Sequence, residues 1–227
     1  MAISNYSFSS NNNKQAASEA VVANGMASWT GVLKMVHWPV TLSAPGNYDF
    51  NANLQRVQSG PLSLVIYFSD PIVARRKGVT STSKNEQYFT LNYINKGSLV
   101  VEHNNLKTSL KRGDIILVNN ALDSTIEFLN PSQAYSTRIP LKLLNTYIEN
   151  PHLFCNQRIA ASRPYNRLLK EIFLCLWNQD EHDAHGDTSR FLTNSMLSVL
   201  ATALDTNNKK ELSHSYKSEQ LLHRIIE

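Results

Sequence analysis

Short runs of β-branched and aromatic residues, separated by turn residues, fill the sequence from about residue 50 to residue 140. The runs recur about every 8–12 residues, which is typical of an all-β sandwich or barrel and not of alternating strands and helices. We therefore predict a β-rich domain over residues 21–140. The predicted strands are Leu54–Ser59, Leu62–Phe68, Gln87–Asn95, Ser98–His103, Leu106–Leu110, Ile115–Val118, Thr125–Leu129 and Ala134–Ile139.

The segment before these strands follows other patterns. Residues 1–20 are rich in serine and asparagine and have almost no apolar periodicity, which predicts a flexible arm. Apolar residues at helical spacing from Trp29 to His37 predict a short helix. It is expected to end at Trp38-Pro39, because a residue that precedes proline is disfavoured in a helix.

After Pro140 the apolar residues recur at helical spacing, and we assign residues 141–227 to a helical region. The first long helix is predicted at Pro164–Trp177, since proline is well tolerated in the first turn of a helix. A polar loop, Gln179–Asp187, then leads to a helix that we expect to close at Leu204.

A last helix is predicted at Ser218–Glu227, where apolar residues again form one stripe. It has no terminating glycine or polar tail, and we therefore expect the chain to be cut within a helix.

The charge distribution does not favour a DNA-binding surface on this chain. The formal net charge is +4, which divides into +5 over residues 1–162 and −1 over residues 163–227. DNA-binding domains usually concentrate basic residues on one element, whereas here the helical end has no basic excess.

The sequence predicts a cytoplasmic protein that does not contact a membrane. No run approaches the about eighteen apolar residues of a membrane-spanning helix, and the first residues lack the charged and apolar regions of an export signal. The two cysteines, Cys155 and Cys175, are too few for a disulfide framework and form no Cys-x-x-Cys pair. They are expected to be buried thiols in a reducing compartment.

Sequence motifs of catalysis and cofactor binding are absent. The chain has no Gly-x-Ser-x-Gly elbow and no glycine-rich phosphate loop. Glu102-His103 lacks the paired His-x-His of metal-binding barrels, and the acidic and histidine cluster Glu181–His185 lies in a loop and not on rigid elements. We expect no catalytic residue, no metal and no cofactor.

Three side chains are candidates for binding a small molecule: Arg75, Tyr93 and His103. Arg75 belongs to the basic run Arg75–Lys77, which can bind an anion, although a solvated turn is the simpler interpretation. These residue types suit an anionic or aromatic ligand. The pattern leaves open which residues face the barrel interior, because a shift of one residue exchanges the two faces of a strand.

Several segments occur in an order and at a spacing that resemble one family. The segments are Leu62–Phe68 leading to Val73–Arg76, Tyr88–Ser98, the Leu-x-x-Gly-Asp turn at Leu110–Asp114 with the strand Ile115–Leu117, and the exit into helices at Ile139–Leu144. Each motif is common by itself, and their order makes the resemblance specific. From about Trp29 to its end, the chain resembles the amino-terminal sensor domain of AraC/XylS-type transcription activators.

The resemblance implies an α+β fold in which a cupin-like antiparallel β jelly-roll barrel senses a small molecule and a helical region mediates dimerisation. In that family a helix-turn-helix module follows and contacts DNA. This sequence stops before such a module, so DNA contact is expected only through a part that the chain lacks. One alternative is a stand-alone binding module that modulates a full-length regulator by forming mixed dimers, and another is a small cupin enzyme.

The helix Pro164–Trp177 is the candidate dimer surface, because its apolar stripe is wide. The stripe consists of Leu168, Leu169, Ile172, Phe173 and Leu176. Two copies of such a stripe can pack symmetrically in a homodimer. The alternative is that the stripe covers the barrel of its own chain.

Overall fold

The computed structural model describes residues 19–24, 29–33, 40–43, 50–78, 87–103, 105–179 and 186–226. Strands dominate the described chain up to Pro140. They are β1 (Glu19–Asn24), β2 (Val40–Ser43), β3 (Asn51–Ser59), β4 (Leu62–Ser69), β5 (Ile72–Arg76), β6 (Tyr88–Lys96), β7 (Ser98–His103), β8 (Leu106–Lys111), β9 (Ile115–Asn119), β10 (Ser124–Phe128) and β11 (Ser132–Pro140).

The strands form two antiparallel sheets. One sheet has the order β1-β3-β4-β11-β6-β9, and the other has the order β2-β5-β10-β7-β8. Many neighbours in space are distant in sequence, as in a jelly roll and unlike a simple meander. The α+β, cupin-like fold that the resemblance implies is therefore confirmed.

The helices are α1 (29–33), α2 (Leu141–Leu144), α3 (Pro164–Trp177) and α4 (Asp187–Ile226), and a 3-10 turn lies at Pro151–Phe154. The prediction for α3 is confirmed at both ends. The predicted end at Leu204 is wrong, because α4 continues to Ile226. Residues 187–226 contain no glycine or proline, and asparagine is only a weak helix former, so Asn207-Asn208 does not break the helix.

Two apolar cores share the six-stranded sheet. The inner core lies between the two sheets and consists of Trp29, Val32, Phe50, Ala52, Leu54, Val65, Ile72, Ile94, Leu99, Val101, Leu110, Ile116, Val118, Phe128 and Ala134. The outer core lies between the other face of the six-stranded sheet and the helices. Its sheet side is Leu62, Leu64, Phe89, Leu91, Ile115, Leu117 and Ile139, and its helical side includes Leu144, Leu169, Phe173, Leu176, Met196, Leu197 and Leu200.

Polar contacts fix the helical region to the edge strand β9. Ile115 and Ile159 form an isolated antiparallel bridge, and the Asp114 carboxylate accepts a hydrogen bond from the Ala161 amide at 2.8 Å. The buried Asn166 side chain donates to the carbonyls of Gly113 and Ile159. The predicted Gly-Asp turn is thus one of the places where α3 is attached to the barrel.

The predicted strands are present, but two predictions near the start of the barrel need correction. Arg75 and Arg76 are not in a solvated turn: they lie in β5, which pairs with β2 and β10. Glu19 and Ala20, the last residues of the expected arm, begin β1 and pair with β3, while residues 1–18 lie outside the described residues. The end of the first helix at Trp38-Pro39 and the cluster Glu181–His185 also lie outside them.

Candidate functional site

A cavity of about 100 Å³ lies inside the barrel, between the two sheets. Strands of both sheets surround this cavity, and α1 contributes to its wall. The described lining residues are Trp29, Leu33, Val40, Leu42, Leu54, Tyr67, Ser69, Ile72, Ala74, Arg76, Thr90, Asn92, Val118, Asn120, Ser124, Ile126 and Phe128. A buried water needs only roughly 10–15 Å³, so the cavity has room for a small organic molecule.

Most of the cavity wall is apolar. Ile72 and Ala74 of β5 face it from one sheet, and Leu54 and Val118 face it from the other. The rings of Tyr67 and Phe128 meet edge to face with centroids 5.9 Å apart. An apolar wall of this kind favours the hydrocarbon part of a ligand, since burial in it releases the water that covers apolar surface.

A polar cluster of Arg76, Thr90 and Asn120 forms one part of the wall. Arg76 Nη1 donates to Asn120 Oδ1 at 2.8 Å, and the Thr90 hydroxyl donates to the same oxygen at 3.1 Å. Asn120 Nδ2 donates back to Thr90 Oγ1 at 2.8 Å. These bonds fix the orientation of the three side chains, as is required of groups that recognise a ligand.

Arg76 also holds the loop that follows β9. Its Nη2 donates to the carbonyls of Asn119 and Leu122 at 3.3 and 3.2 Å. The side chain is only 8% exposed. Burial lowers the pKa of Arg76 to about 10, an effect that the charge of Arg138 increases and that of Asp123 opposes. The guanidinium is still charged at neutral pH, in surroundings where an anion would interact with it strongly.

Asn92 and Tyr67 add further polar groups to the lining, and Asn92 is buried whereas Tyr67 is partly buried. The Asn92 amide oxygen accepts a hydrogen bond from the Ser136 hydroxyl at 2.9 Å. Burial raises the pKa of the Tyr67 phenol, so this group is neutral and serves as a hydrogen-bonding group only. Together with the Arg76 cluster, these residues give the apolar cavity a limited set of polar contacts.

The three predicted ligand-binding residues do not meet in this cavity. Arg75 is exposed on the outer side of β5, where its Nη1 donates to Ser43 Oγ at 3.0 Å. Tyr93 is on the helix-facing side of β6 and stacks on Tyr135, with centroids 5.9 Å apart. Neither side chain lines the cavity, and ligand binding by Arg75 or Tyr93 stays a prediction.

His103 is at the end of β7 and is 1% exposed, but it lies beside a different, polar pocket. Its Nε2 is 3.1 Å from the Asn119 carbonyl. That pocket has a volume of about 300 Å³ and includes Glu102 and Asp123 in its wall. Within the described residues, no group of three histidine, cysteine, aspartate or glutamate side chains is arranged to hold a metal ion.

Sequence reasoning missed several of the polar residues that line the cavity, among them Arg76, Thr90, Asn92 and Asn120. Thr90 and Asn92 are the alternate residues of a predicted strand, and Arg76 is next to the chosen Arg75. The available signal was the polar character of one face of β6. By the usual rule that polar residues face water, this face of β6 would lie on the outside of the barrel. The rule fails here because helices cover the other face of the sheet.

The predicted dimer stripe is largely used within the chain. Leu169, Ile172, Phe173 and Leu176 belong to the outer core, with exposures between 0% and 8%. Their side chains are therefore not free to pack on a second copy. Leu168 is the member of the stripe that stays exposed, at 47%.

A cupin-like jelly roll that encloses a cavity, with helices on one outer face, defines this protein as a barrel domain of the α+β class. The chain belongs to the AraC-binding-like domain family, whose match covers residues 29–205. In the described part of the chain, no helix-turn-helix unit follows the barrel. None of the described helices is both long and apolar enough to cross a membrane.

Solved structures with a similar fold include the AraC-like transcriptional activator CuxR. The TM-score is 0.65 at 12% sequence identity, and the match covers 82% of this chain and 70% of that one. At this identity the similarity concerns the fold. KdgF from Halomonas sp. matches with a TM-score of 0.34 and 19% identity, over 43% of this chain and 93% of that chain.

A cupin superfamily protein from Desulfitobacterium hafniense DCB-2 matches with a TM-score of 0.29 and 14% identity, over 44% of this chain and 76% of that chain. The similarity to this protein and to KdgF is too low to bear on function. No curated protein sequence matches this chain significantly.

Proposed function

We propose that this chain is the sensor and dimerisation part of a cytoplasmic AraC-type transcription regulator and is not an enzyme. Its effector is a small molecule that binds in the barrel cavity. Membership of the AraC-binding-like family supports the regulatory role. The observation that carries the choice of site is the cavity itself, in which an apolar wall surrounds the fixed polar cluster of Arg76, Thr90 and Asn120.

The position of the cavity suits a sensor. β4, β6, β9 and β11 contribute residues to both the inner and the outer core. A ligand that rigidifies the inner face therefore acts on strands against which α3 and α4 pack. The coupling between ligand and helices is limited by the difference in ligand affinity between the two states of the domain. DNA contact is assigned to a helix-turn-helix module and not to the barrel.

Filling the cavity tests this function in the source cell. Ala74 lines the cavity, and Ala74→Leu adds apolar volume there, so it should exclude an effector. Arg75→Leu is the matched control, because it introduces the same side chain at the exposed neighbouring position. Transcript profiles of cells that carry wild type, either variant or a deletion are then compared.

We expect the deletion to change a defined set of transcripts and the control variant to restore them. The Ala74→Leu variant should fail to restore this set of transcripts, although circular dichroism shows that the variant is folded. Full restoration by a folded Ala74→Leu variant, or no transcript change in the deletion, would contradict the proposal.

Dimerisation is the second part of the proposal, and Leu168 is the residue of the α3 stripe through which it is tested. Because Leu168 is exposed, Leu168→Glu should leave the fold intact. Sedimentation velocity should show a wild-type dimer and a folded monomeric variant. If the wild type sediments as a monomer, dimerisation is refuted. If the Leu168→Glu variant still sediments as a dimer, Leu168 is not part of the interface.

A further inference from the structure

Hydrogen bonds within the cavity wall narrow the class of ligand that the proposed site can take, an inference that rests on the proposed function. Arg76 Nη1 and Nη2 donate to the Asn120 side chain and to two carbonyls of the loop after β9. Thr90 and Asn120 bond to each other. Because these donors are already held by protein acceptors, a charged ligand would lose its hydration against the apolar wall without a matched partner. The wall therefore favours a neutral ligand.

Some neutral polar groups of the lining make no hydrogen bond to any described residue. Among them are the Tyr67 and Ser124 hydroxyls and the side-chain nitrogen of Asn92. The oxygen of the Asn92 amide accepts from the Ser136 hydroxyl, so its nitrogen is left to donate elsewhere. Hydroxyl and amide N–H groups donate hydrogen bonds, and a buried donor without a partner costs free energy. A ligand that carries an acceptor oxygen and no charge is the complement of this wall.

Tyr67 is the best placed of these groups to anchor the ligand. It lies on β4 opposite Ala134 of β11, and Asn92 lies on β6 opposite Ser136. Ala134 and Ser136 are small and buried, so they leave space between the two larger side chains that line the cavity. Burial raises the pKa of the Tyr67 phenol, so the hydroxyl keeps its proton. It is therefore a lasting donor on the cavity wall.

The cavity volume sets the size of the ligand. An apolar cavity of roughly 150 Å³ holds benzene, which has six heavy atoms, or about 25 Å³ for each. The cavity here is about 100 Å³, and by the same scale it holds about four heavy atoms. One of these atoms is the acceptor oxygen, and the others are carbons that contact apolar side chains such as Leu54, Ile72 and Phe128.

We propose that the cavity binds a small neutral carbonyl compound, whose oxygen accepts a hydrogen bond from the Tyr67 hydroxyl and whose carbons lie against Ile72 and Phe128. A carbonyl oxygen has two acceptor lone pairs and brings no donor of its own, which suits a wall on which Tyr67 and Asn92 present donors. Acetone has this chemistry and size. Isobutene has the same arrangement of heavy atoms with carbon in place of oxygen, so the two probes differ only in the acceptor.

The experiment follows the methyl signals of Val118 and Ile72, which line the cavity, by NMR while the full chain is titrated with each probe. A ligand of this size binds at best with a Kd of about 40 µM, so the titration extends into the millimolar range. Both probes should give saturable shifts in the wild type. Tyr67→Phe should weaken acetone binding about two- to tenfold, the usual contribution of one hydrogen bond, and leave isobutene binding unchanged.

Two further variants control for the position of the hydroxyl and for the cavity. Tyr93→Phe makes the same change on the helix-facing side of the sheet and should alter the Kd of neither probe. Ala74→Leu fills the cavity and should weaken the binding of both.

Tyr67→Phe also shows whether the hydroxyl is used within the protein. The ring that packs on Phe128 is kept, and the hydroxyl has no bond to a described residue to lose. Urea denaturation of this variant should therefore show no loss of stability.

The outcomes separate this inference from the proposed function. Saturable isobutene binding that Ala74→Leu blocks, with acetone either unbound or insensitive to Tyr67→Phe, would overturn the carbonyl assignment and leave the cavity as an effector site. A clear loss of stability in Tyr67→Phe would show that the hydroxyl already has a partner and would overturn it too. Binding of neither probe would also reject the assignment, whereas the transcript experiment decides on the proposed function independently.

Discussion

His103 illustrates how a single buried side chain makes the stability of the barrel depend on pH. Its Nε2 donates to the Asn119 carbonyl at 3.1 Å. Burial lowers the pKa of His103 below its ordinary value of 6.5, the charge of Arg76 lowers it further, and the hydrogen bond to Asn119 opposes the shift. The imidazole is therefore neutral in the folded protein at neutral pH.

We predict that the folded protein loses stability as the pH falls below about 6.5. In that range the unfolded chain binds a proton on His103 that the folded chain does not bind, so the free energy of unfolding decreases by at most about 1.4 kcal/mol per pH unit from this group. Urea denaturation between pH 7.5 and pH 5 measures the slope. His103→Gln should flatten it, and an equal slope in the two proteins would contradict the assignment.

Arg75 and Arg76 show what sequence reasoning can and cannot supply at this scale. The basic run was identified as an anion-binding candidate, and one of its arginines does line the cavity. The choice between them depends on the register of β5, and adjacent residues of a strand point to opposite faces. Arg76 is distinguished by its hydrogen bond to Asn120, which in turn bonds to Thr90. Both residues are distant from Arg76 in sequence, so no local pattern reveals this cluster.

At the scale of the element, the inner face of α3 holds the helix on the barrel. Leu176 is 0% exposed and Leu168 is 47% exposed on the same helix. We predict that Leu176→Ala costs about 2–5 kcal/mol of unfolding free energy, because it removes packed methyl groups and leaves a cavity. Leu168→Ala should cost less than about 0.5 kcal/mol.

Urea denaturation of both variants checks this prediction, with Leu168→Ala as the matched control. Similar losses of unfolding free energy in the two variants would mean that the buried and the exposed faces of α3 contribute equally to stability. That result would reopen the prediction that Leu169, Ile172, Phe173 and Leu176 serve a partner chain.

Strand β6 shows why the elements were predictable but their orientation was not. Its alternation correctly separated Phe89, Leu91 and Tyr93 from the residues between them. The apolar set faces the helices, and Thr90 and Asn92 face the cavity. Because both faces of this sheet are covered, alternation no longer distinguishes inside from outside.

At the scale of the whole molecule, the shared six-stranded sheet joins the barrel and the helices into one unit. Leu64 and Val65 are neighbours on β4, yet they belong to the outer and the inner core respectively. Loss of the sheet removes the packing surface of both cores. We therefore predict a single cooperative unfolding transition for the barrel and α3.

Tryptophan fluorescence measures this cooperativity, since Trp29 is in the inner core and Trp177 packs on the outer one. Variants that retain only one of these two tryptophans, each also carrying Trp38→Phe, should show transitions with the same urea midpoint after correction for the substitutions. A lower midpoint for the Trp177 reporter would mean that the helices detach before the barrel unfolds.

The order of the elements and the β-sandwich or barrel class could be predicted from the residues, since turn residues and periodicity are local signals, whereas the jelly roll was expected only from the family resemblance. The cavity could not, because it depends on long-range pairing: β6 lies between β9 and β11, and β10 lies between β5 and β7. The continuity of α4 past Leu204 was not predicted either, because Asn207 and Asn208 are weak helix formers and yet do not end the helix.

The central claim is that the barrel interior, and not the helix-packed face, is where a small molecule binds. Xenon enters apolar cavities independently of ligand identity, so methyl NMR spectra under xenon pressure test the claim most directly. Val118 and Leu117 are adjacent on β9 and face the cavity and the helices respectively. The account predicts saturable shifts for the methyl groups of Val118, Ile72 and Ile126, none for Leu117, and loss of the response in Ala74→Leu. Shifts confined to the outer core, or a response that Ala74→Leu leaves intact, would contradict it.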